Sequence, residues 1–247
     1  MANIRHVAFI VKEPERLFDF YNHLFGVEQV RVSPTGSIHV IDGLFNLAFL
    51  KQVEAPSEIE NTHRADGQEV DQRVGINHFG FTVENVDAQV GRLPETVKRG
   101  ESPQNGRPAE MRVIDPWGNN FDLSSRGFLG REERTLPGVR RVVVQADQPD
   151  QTADFYTSVM DLEEVRRERD GSIDLTDGDI SMGLIQEGFV GKAGIQYIGF
   201  QVEDWDAARA RFKDLGIDVP ADPPAGELLL KDPEGNLFAV SAKGWGA

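Results

Sequence analysis

A short segment near the middle of the chain carries a histidine that a similar segment downstream lacks. The two segments are INHFGF (76–81) and IQYIGF (195–200), which share the frame Ile, polar, variable, apolar, Gly, Phe. Side chains alternate between faces along a strand, so His78 points the same way as Gly80, and Tyr197 takes its place in the second copy. Because an imidazole can act as an acid, a base or a metal ligand, position 78 could do chemistry in one half only.

A carboxylate stands in a second alternating segment, which follows a predicted turn. In NNFDLSS (119–125), Asp122 points to the face opposite Phe121 and Leu123. A buried, unpaired carboxylate costs several kcal/mol unless it finds a cation. We therefore expect a positively charged partner for Asp122 if its face of the strand is covered.

The chain is built from two similar halves. The first three matched pairs are offset by 135 residues, the fourth by 119 and the fifth by 117, which places deletions in the loops between the blocks. The pairs are IRHVAFIV (4–11) with VRRVVVQA (139–146), FDFYNHLFGVEQV (18–30) with ADFYTSVMDLEEV (153–165), GSIHVIDG (36–43) with GSIDLTDG (171–178), VGINHFGFTVENVDA (74–88) with AGIQYIGFQVEDWDA (193–207), and DPWGNNFDLSSRGF (115–128) with DPEGNLFAVSAKGW (232–245).

Each half is predicted to contain two units in which a strand is followed by a helix and then by further short strands. Pro14 and Gly26 bracket the first predicted helix, whose apolar residues follow helical spacing. Its repeat equivalent starts after Pro149, and two more helices are predicted near 87–97 and near 205–215.

Two segments between these elements have a different composition. The charged stretch 127–138 is the predicted linker, which divides the chain into modules 1–130 and 131–247. The polar, aperiodic stretch 51–73 is predicted to be a mobile flap or a disordered insertion.

Composition excludes several classes of function. Among 247 residues there are 26 basic and 41 acidic side chains, and the resulting charge of −15 disfavours nucleic acid and membrane surfaces as partners. The chain has no cysteine, which rules out disulfides, thiolate nucleophiles and cysteine zinc sites. Its start, MANIRHVAF, lacks the features of a signal peptide, so a cytoplasmic location is expected.

The segments IRHVAF, FDFYNHLFG, INHFGF and DPWGNNFDLSS together resemble the vicinal oxygen chelate superfamily. This superfamily includes glyoxalase I, methylmalonyl-CoA epimerase, extradiol ring-cleaving dioxygenases, and fosfomycin and bleomycin resistance proteins. The resemblance covers nearly the whole chain. It implies an α+β fold with two tandem modules, each a pair of βαβββ units whose mixed sheets curl around a cavity.

The resemblance also implies a metal site. Carried over by motif, the ligands are His6 on the first strand, His78 on the strand that opens the second unit, and Asp122, where the superfamily usually has Glu. Two imidazoles and one carboxylate leave coordination positions open, which favours Fe(II) or Mn(II) and is compatible with Zn(II), Co(II) or Ni(II).

The second half serves as an internal control for this ligand set. At the repeat-equivalent positions it has Arg141, Tyr197 and Ala239, so all three ligands are replaced together while the surrounding pattern persists. This joint replacement predicts that module 1–130 binds the metal and that module 131–247 is degenerate.

The resemblance favours an extradiol-dioxygenase-like enzyme over glyoxalase I. Four-ligand members have an acid on the last strand of the first unit, where Phe49 is expected here. Phe45 stands near the position of a histidine that ring-cleaving dioxygenases place outside their metal ligands. No catalytic residue carries over, and the candidates are His63 in the long loop and the arginines Arg107 and Arg112 before the final turn.

Three functions stay open for the chain. The first is a dioxygenase that acts on a small molecule with two vicinal oxygens. The second is a Lewis-acid lyase or isomerase, similar to a glyoxalase or an epimerase. The third is a resistance-type protein that sequesters a small molecule. The expected partner is a small-molecule substrate, and a homodimer is compatible with all three.

Overall fold

The computed structural model describes residues 2–52, 73–101, 108–188 and 194–246. In the first half the elements are β1 (Asn3–Val11), α1 (Pro14–Phe25), β2 (Glu28–Val32), β3 (Ile38–Ile41), β4 (Asn46–Lys51), β5 (Gly75–Thr82), α2 (Val86–Gly91), β6 (Lys98–Glu101), β7 (Met111–Ile114) and β8 (Asn120–Ser124). In the second half they are β9 (Gly138–Gln145), α3 (Pro149–Met160), β10 (Glu163–Arg167), β11 (Ile173–Thr176), β12 (Ser181–Ile185), β13 (Gly194–Gln201), α4 (Trp205–Asp214), β14 (Leu228–Lys231) and β15 (Leu237–Ser241).

Each half forms one mixed sheet. The first has the order β2-β3-β4-β1-β5-β8-β7-β6, and the second has the order β10-β11-β12-β9-β13-β15-β14. In the first sheet β1 runs parallel to β4 and antiparallel to β5, while β5 runs parallel to β8. The predicted α+β fold with two tandem modules is confirmed. The proposed boundary near residue 130 lies between β8 and β9, in a stretch without helix or strand.

The helices lie where the sequence predicts them, except that α2 is shorter. Helix α1 has Pro14 in its first turn and ends at Gly26, which adopts the left-handed conformation at φ 71° that a residue with a side chain disfavours. Helix α2 ends at Gly91, well before the predicted end near residue 97. Pro94 accounts for this, because a proline disfavours helical geometry in the residue before it. None of the helices in the described ranges has the length and apolar character needed to cross a bilayer.

Two buried tyrosines related by the repeat form hydrogen bonds between the modules. The hydroxyl of Tyr21 on α1 donates to Asp232 of the second module at 3.1 Å. The hydroxyl of Tyr156 on α3 donates to Asp115 of the first module at 2.8 Å. Both aspartates open the predicted DPWGN and DPEGN turns, so each turn also accepts a hydrogen bond from the helix of the other module.

The first strands and the aromatic core make further contacts between the modules. The backbone N–H of Ile4 donates to Asp177 of the second module at 2.6 Å. Tyr21 stacks against Phe49 of its own module and Phe200 of the other. One large hydrophobic cluster therefore extends through both sheets.

Candidate functional site

The three predicted ligands lie on adjacent strands at the centre of the first sheet. In the register of β1, β5 and β8, His6 pairs with Gly80, and Gly80 pairs with Asp122. His78 is two residues before Gly80 on β5, so it shares the same face. All three side chains are buried. We call the face that carries them the site face. The opposite face packs in the core.

The environment of His6 defines which of its nitrogens is available. Its Nδ1 lies 2.7 Å from Oδ1 of Asn46, whose Nδ2 donates to the carbonyl of Val40 at 2.9 Å. The amide orientation therefore makes Oδ1 an acceptor, and Nδ1 of His6 carries the hydrogen. Burial, followed by the neighbouring His78, lowers the pKa of His6 to about 3. At neutral pH the ring is uncharged, with a lone pair on Nε2.

His78 is oriented by a similar contact and faces the carboxylate. Its Nδ1 lies 2.9 Å from Oδ1 of Asn77, and its Nε2 lies 3.4 Å from Oδ2 of Asp122. The contact with His78 is one of the causes that hold the pKa of Asp122 below its usual range. The rings of His6 and His78 are 5.4 Å apart between centroids.

Arg112 is a positive partner of Asp122, where the sequence analysis expected a metal ion. Its Nε donates to Oδ1 at 3.0 Å, and its Nη2 reaches Oδ2 at 3.4 Å. Burial raises the pKa of Asp122, but Arg112, His78 and His6 together outweigh burial and hold that pKa below its usual range. Asp122 is therefore ionised. Arg112, one of the candidate catalytic residues, contacts this carboxylate.

The donor types at this site fit a divalent cation, but Asp122 already pairs with Arg112. Across the described ranges, no three His, Asp or Glu side chains converge in the way that a bound metal requires. Two imidazoles and a carboxylate are nevertheless the chemical set that Fe(II) and Mn(II) accept. A cation held by His6, His78 and Asp122 would have to share the carboxylate with Arg112.

A phenylalanine covers His6, and the sequence analysis did not identify it. The ring of Phe128 stacks on the imidazole of His6, with centroids 4.8 Å apart and planes 3° apart. It fits there because Gly80 has no side chain, since a Cβ at that position would lie 2.7 Å from Phe128. The available signal was the repeat, which matches Phe128 with Trp245.

The structure places Phe49 of β4 differently from the sequence prediction. The expectation that Phe49 stands on the site face is wrong, because Phe49 packs in the core against Phe9. The strand register instead places Asn46 beside His6 and Ala48 beside Ala8, so β4 contributes no acid next to these positions.

Four further predictions have little or no structural test. Phe45 lies in the core. His63, Arg107 and almost all of the predicted flap at 51–73 lie outside the described residues.

The second module has the same framework with different chemistry at its centre. Arg141 pairs with Gly199, and Gly199 pairs with Ala239, as His6, Gly80 and Asp122 do in the first module. The guanidinium of Arg141 contacts Asp174 at 2.9 Å and donates to Ser181 at 2.9 Å. An internal cation therefore stands where the first module has a histidine, which agrees with the predicted loss of metal ligands.

Several solved structures share the fold of the whole chain. The 2,3-dioxygenase LapB from Pseudomonas sp. KL28 is 15% identical, with a TM-score of 0.70 over 99% of this chain and 93% of that one. The Mn(II)-bound glyoxalase from Novosphingobium aromaticivorans is 16% identical, with a TM-score of 0.70 over 98% of this chain and 83% of that one. The 2,2′,3-trihydroxybiphenyl 1,2-dioxygenase from Sphingomonas wittichii RW1 is 14% identical, with a TM-score of 0.66 over 97% and 90%.

The family comparison agrees with the repeat. No curated protein matches the chain. Two family models, both described as the glyoxalase/bleomycin resistance protein/dioxygenase superfamily, match residues 5–114 and 138–240. One model falls on each module, and together they cover most of the sequence. The chain therefore belongs to the glyoxalase/bleomycin resistance protein/dioxygenase superfamily.

Proposed function

We propose that the chain is a metal-dependent enzyme of the extradiol-dioxygenase type. Its first module binds one divalent cation, Fe(II) or Mn(II), through His6, His78 and Asp122. The substrate is a small molecule that presents two vicinal oxygens. The location of these ligands on three adjacent central strands supports the proposal, as does their joint replacement in the second module.

The contact between His78 and Asp122 is the observation that carries this proposal. A histidine nitrogen and an ionised carboxylate oxygen lie 3.4 Å apart on a buried face. Two donor atoms bound to one metal at about 2.0–2.2 Å and at right angles are separated by roughly 3 Å. A small shift of either side chain would therefore allow both atoms to bind the same ion.

The other residues of the site prepare the ligands. Asn46 holds His6 in the tautomer that leaves Nε2 free, which is the usual role of a group that contacts a metal-bound histidine. Phe128 covers the His6 ring and excludes water from that side. Arg112 keeps Asp122 ionised. When bound, the cation would supply Lewis acidity and, as Fe(II), the capacity for one-electron chemistry with O2.

A Lewis-acid lyase or isomerase is the second candidate. The fold is similar to that of an Mn(II)-bound glyoxalase, and the same three ligands could polarise a carbonyl or stabilise an enolate. The dioxygenase remains the first choice because neither Asn46 nor Ala48, the β4 residues paired with the site face of β1, supplies the fourth acid expected of glyoxalase I.

Metal content tests the site itself. Protein purified without added metal is loaded anaerobically with Fe(II) or Mn(II), desalted and analysed by mass spectrometry for bound metal. We expect about one equivalent per chain, since one module keeps the ligands. His78→Ala and Asp122→Ala should lose it. Tyr197→Phe, at the repeat-equivalent position, is the matched control and should keep it. Two equivalents, or unchanged loading in both ligand variants, would contradict the assignment.

Oxygen consumption separates the two reactions. The Fe(II)-loaded protein is screened against catechols and enolisable carbonyl compounds with an oxygen electrode, and the same substrates are then tested without O2. Oxygen uptake that depends on Asp122 supports the dioxygenase. Turnover that is equal without O2 and supported by Mn(II) or Zn(II) would replace it with the lyase or isomerase. Ligand binding without turnover under either condition would favour a sequestering protein.

A further inference from the structure

A further histidine of the first module, outside the proposed ligand set, lies on the site face. His39 on β3 pairs with Ala48 on β4. Ala48 pairs with Ala8 on β1, and Ala8 pairs with His78 on β5. Residues directly opposite each other on neighbouring strands point to the same face of the sheet. His39 therefore shares the face of His78, and it is partly buried there.

The second module shows that a side chain at this position reaches the centre of the sheet. Asp174 takes the place of His39 in the repeat, and Arg141 takes the place of His6. The carboxylate of Asp174 contacts the guanidinium of Arg141 at 2.9 Å. The guanidinium lies over Gly183 of the intervening strand, where a Cβ would be 2.6 Å from it. A side chain at position 39 can therefore act on a group held at position 6, two strands away.

The residues at these two positions change together between the modules. The second module has Arg141 and Asp174, a cation and an anion that pair with each other. The first has His6 and His39. The electrostatic effect of His39 is among the causes that lower the pKa of His6, so the two rings lie near each other. The first module thus has, instead of an internal ion pair, two rings that can each hydrogen-bond to a ligand.

Short side chains form the floor between His39 and the proposed metal ligands. Ala48 and Ala8 separate His39 from His78 across the sheet, and both alanines are buried. Neighbouring strands lie about 4.7–4.9 Å apart, so three spacings put the Cα atoms of the two histidines roughly 14 Å apart. Methyl groups extend less far from the sheet than imidazoles do. A small ring over the two alanines would therefore have His39 at one end and the proposed ligands at the other.

We infer that His39 contacts the substrate of the first module and hydrogen-bonds to a polar group on the side of the substrate that faces away from the metal ligands. The substrate is then a small molecule with two vicinal oxygens at one end and a hydrogen-bonding substituent at the other. This inference rests on the proposed function, because His6, His78 and Asp122 are needed to hold the vicinal oxygens. His39 determines specificity and is not itself a metal ligand.

Anaerobic calorimetry on the full-length, Mn(II)-loaded protein tests the inference. Oxygen is excluded so that binding alone is measured. One probe, 3,4-dihydroxybenzyl alcohol, carries a hydroxymethyl group, and the other, 4-ethylcatechol, carries an ethyl group of nearly the same size. The readout is the ratio of their dissociation constants. Relative to the wild type, His39→Leu should shift this ratio about tenfold in favour of 4-ethylcatechol, because one hydrogen bond is lost.

Further variants separate the loss of this hydrogen bond from general damage to the site. Damage would weaken the binding of both catechols alike and leave their ratio unchanged. His39→Phe has a flat ring of similar outline and should give the same shift, which keeps the test valid if His39→Leu does not fold. His39→Gln keeps a hydrogen-bonding side chain and should restore most of the wild-type ratio. His23→Leu is the control, because it makes the same change at a half-exposed histidine of α1.

Metal content of the same samples separates this inference from the proposed function. The wild-type protein and the His39 variants should each hold about one equivalent of Mn(II). With full loading, an unchanged ratio in His39→Leu and His39→Phe would overturn the inference and leave the proposed function standing. Loss of metal from both folded variants would also overturn it, since His39 would then be a ligand. Failure of the loaded wild-type protein to bind either catechol would do the same. Failure of the wild-type protein to load metal would overturn both proposals.

Discussion

The guanidinium of Arg112 spans both oxygens of Asp122, with Nε 3.0 Å from Oδ1 and Nη2 3.4 Å from Oδ2. The two residues are direct partners in the register of β7 and β8. At the equivalent pair of the second module the residues are Leu229 and Ala239, so cation and carboxylate are replaced together. Arg112 balances the charge of the proposed ligand, and it also competes with a metal for that ligand.

Arg112→Leu, which copies the residue of the second module, should raise the affinity for Mn(II). Removing a cation in contact with Asp122 leaves the carboxylate free for the metal. A charge at this distance contributes on the kcal/mol scale, so we expect a gain of about tenfold. Calorimetric titration of the metal-free protein measures it. Arg126→Leu removes an exposed arginine from the first module as a control. Weaker Mn(II) binding in Arg112→Leu would mean that Arg112 mainly positions the carboxylate.

Gly80→Ala should disturb the site through Phe128. The new Cβ would lie 2.7 Å from the Phe128 ring and 3.1 Å from Cβ of His6, so both must move. Overpacking of this kind costs about 1–3 kcal/mol of unfolding free energy. Urea denaturation measures the loss, and metal loading should fall with it. Gly91→Ala is the control, because nothing lies within 4 Å of a Cβ at that position.

The metal-free protein should lose stability as the pH falls below the ordinary pKa of histidine. Burial and then His78 lower the pKa of His6 to about 3 in the folded state. Between pH 6.5 and pH 3 the side chain of His6 is therefore protonated in the unfolded chain but not in the folded chain. The unfolding free energy consequently falls as the pH falls. From pH 7 to pH 5 the contribution of His6 is about 2 kcal/mol.

Urea titrations of two variants test whether His6 causes this pH dependence. His6→Leu should reduce the slope of unfolding free energy against pH over this range. Val30→Thr, an exposed substitution in the same module that removes no titratable group, should leave the slope unchanged. An identical slope in the wild-type protein and His6→Leu would show that other groups are responsible.

The two modules should unfold together. Tyr21 and Tyr156 each donate to a buried aspartate of the other module, and Phe25 stacks on Phe200 across the boundary at 3.9 Å. Trp117 reports on the first module, and Trp205 and Trp245 report on the second, so fluorescence follows each half when the tryptophans of the other half are replaced. We expect a single coincident transition. Residues 1–130 expressed alone should be insoluble, because their half of the core would be exposed.

Tyr21→Phe tests the strength of that junction. Loss of the hydroxyl leaves Asp232 with one donor fewer in a buried position, which should cost about 1–2 kcal/mol. Tyr156→Phe should cost a similar amount through Asp115, because the repeat places it in the same environment. Two separated transitions in either single variant would show that the modules are more independent than their shared core indicates.

The sequence by itself determined most of the local structure. Pro14 and Gly26 mark the ends of α1 because both act on the backbone where they stand. The alternation around Asp122 predicted its face because side-chain direction in a strand has a period of two. The repeat predicted which residues of the second half would occupy the equivalent positions, and the strand registers agree.

Only the tertiary structure decided which distant groups meet. Nothing local to Tyr21 indicates that its hydroxyl reaches Asp232 of the other module. The sequence analysis assigned Asp122 to a metal ion, and its contact with Arg112 became visible only through the pairing of β7 with β8. Phe49 was assigned to the wrong face because a strand in which both faces are buried has no polar side to show its orientation. Such contacts depend on how sheets and modules pack, and that packing is a property of the whole chain.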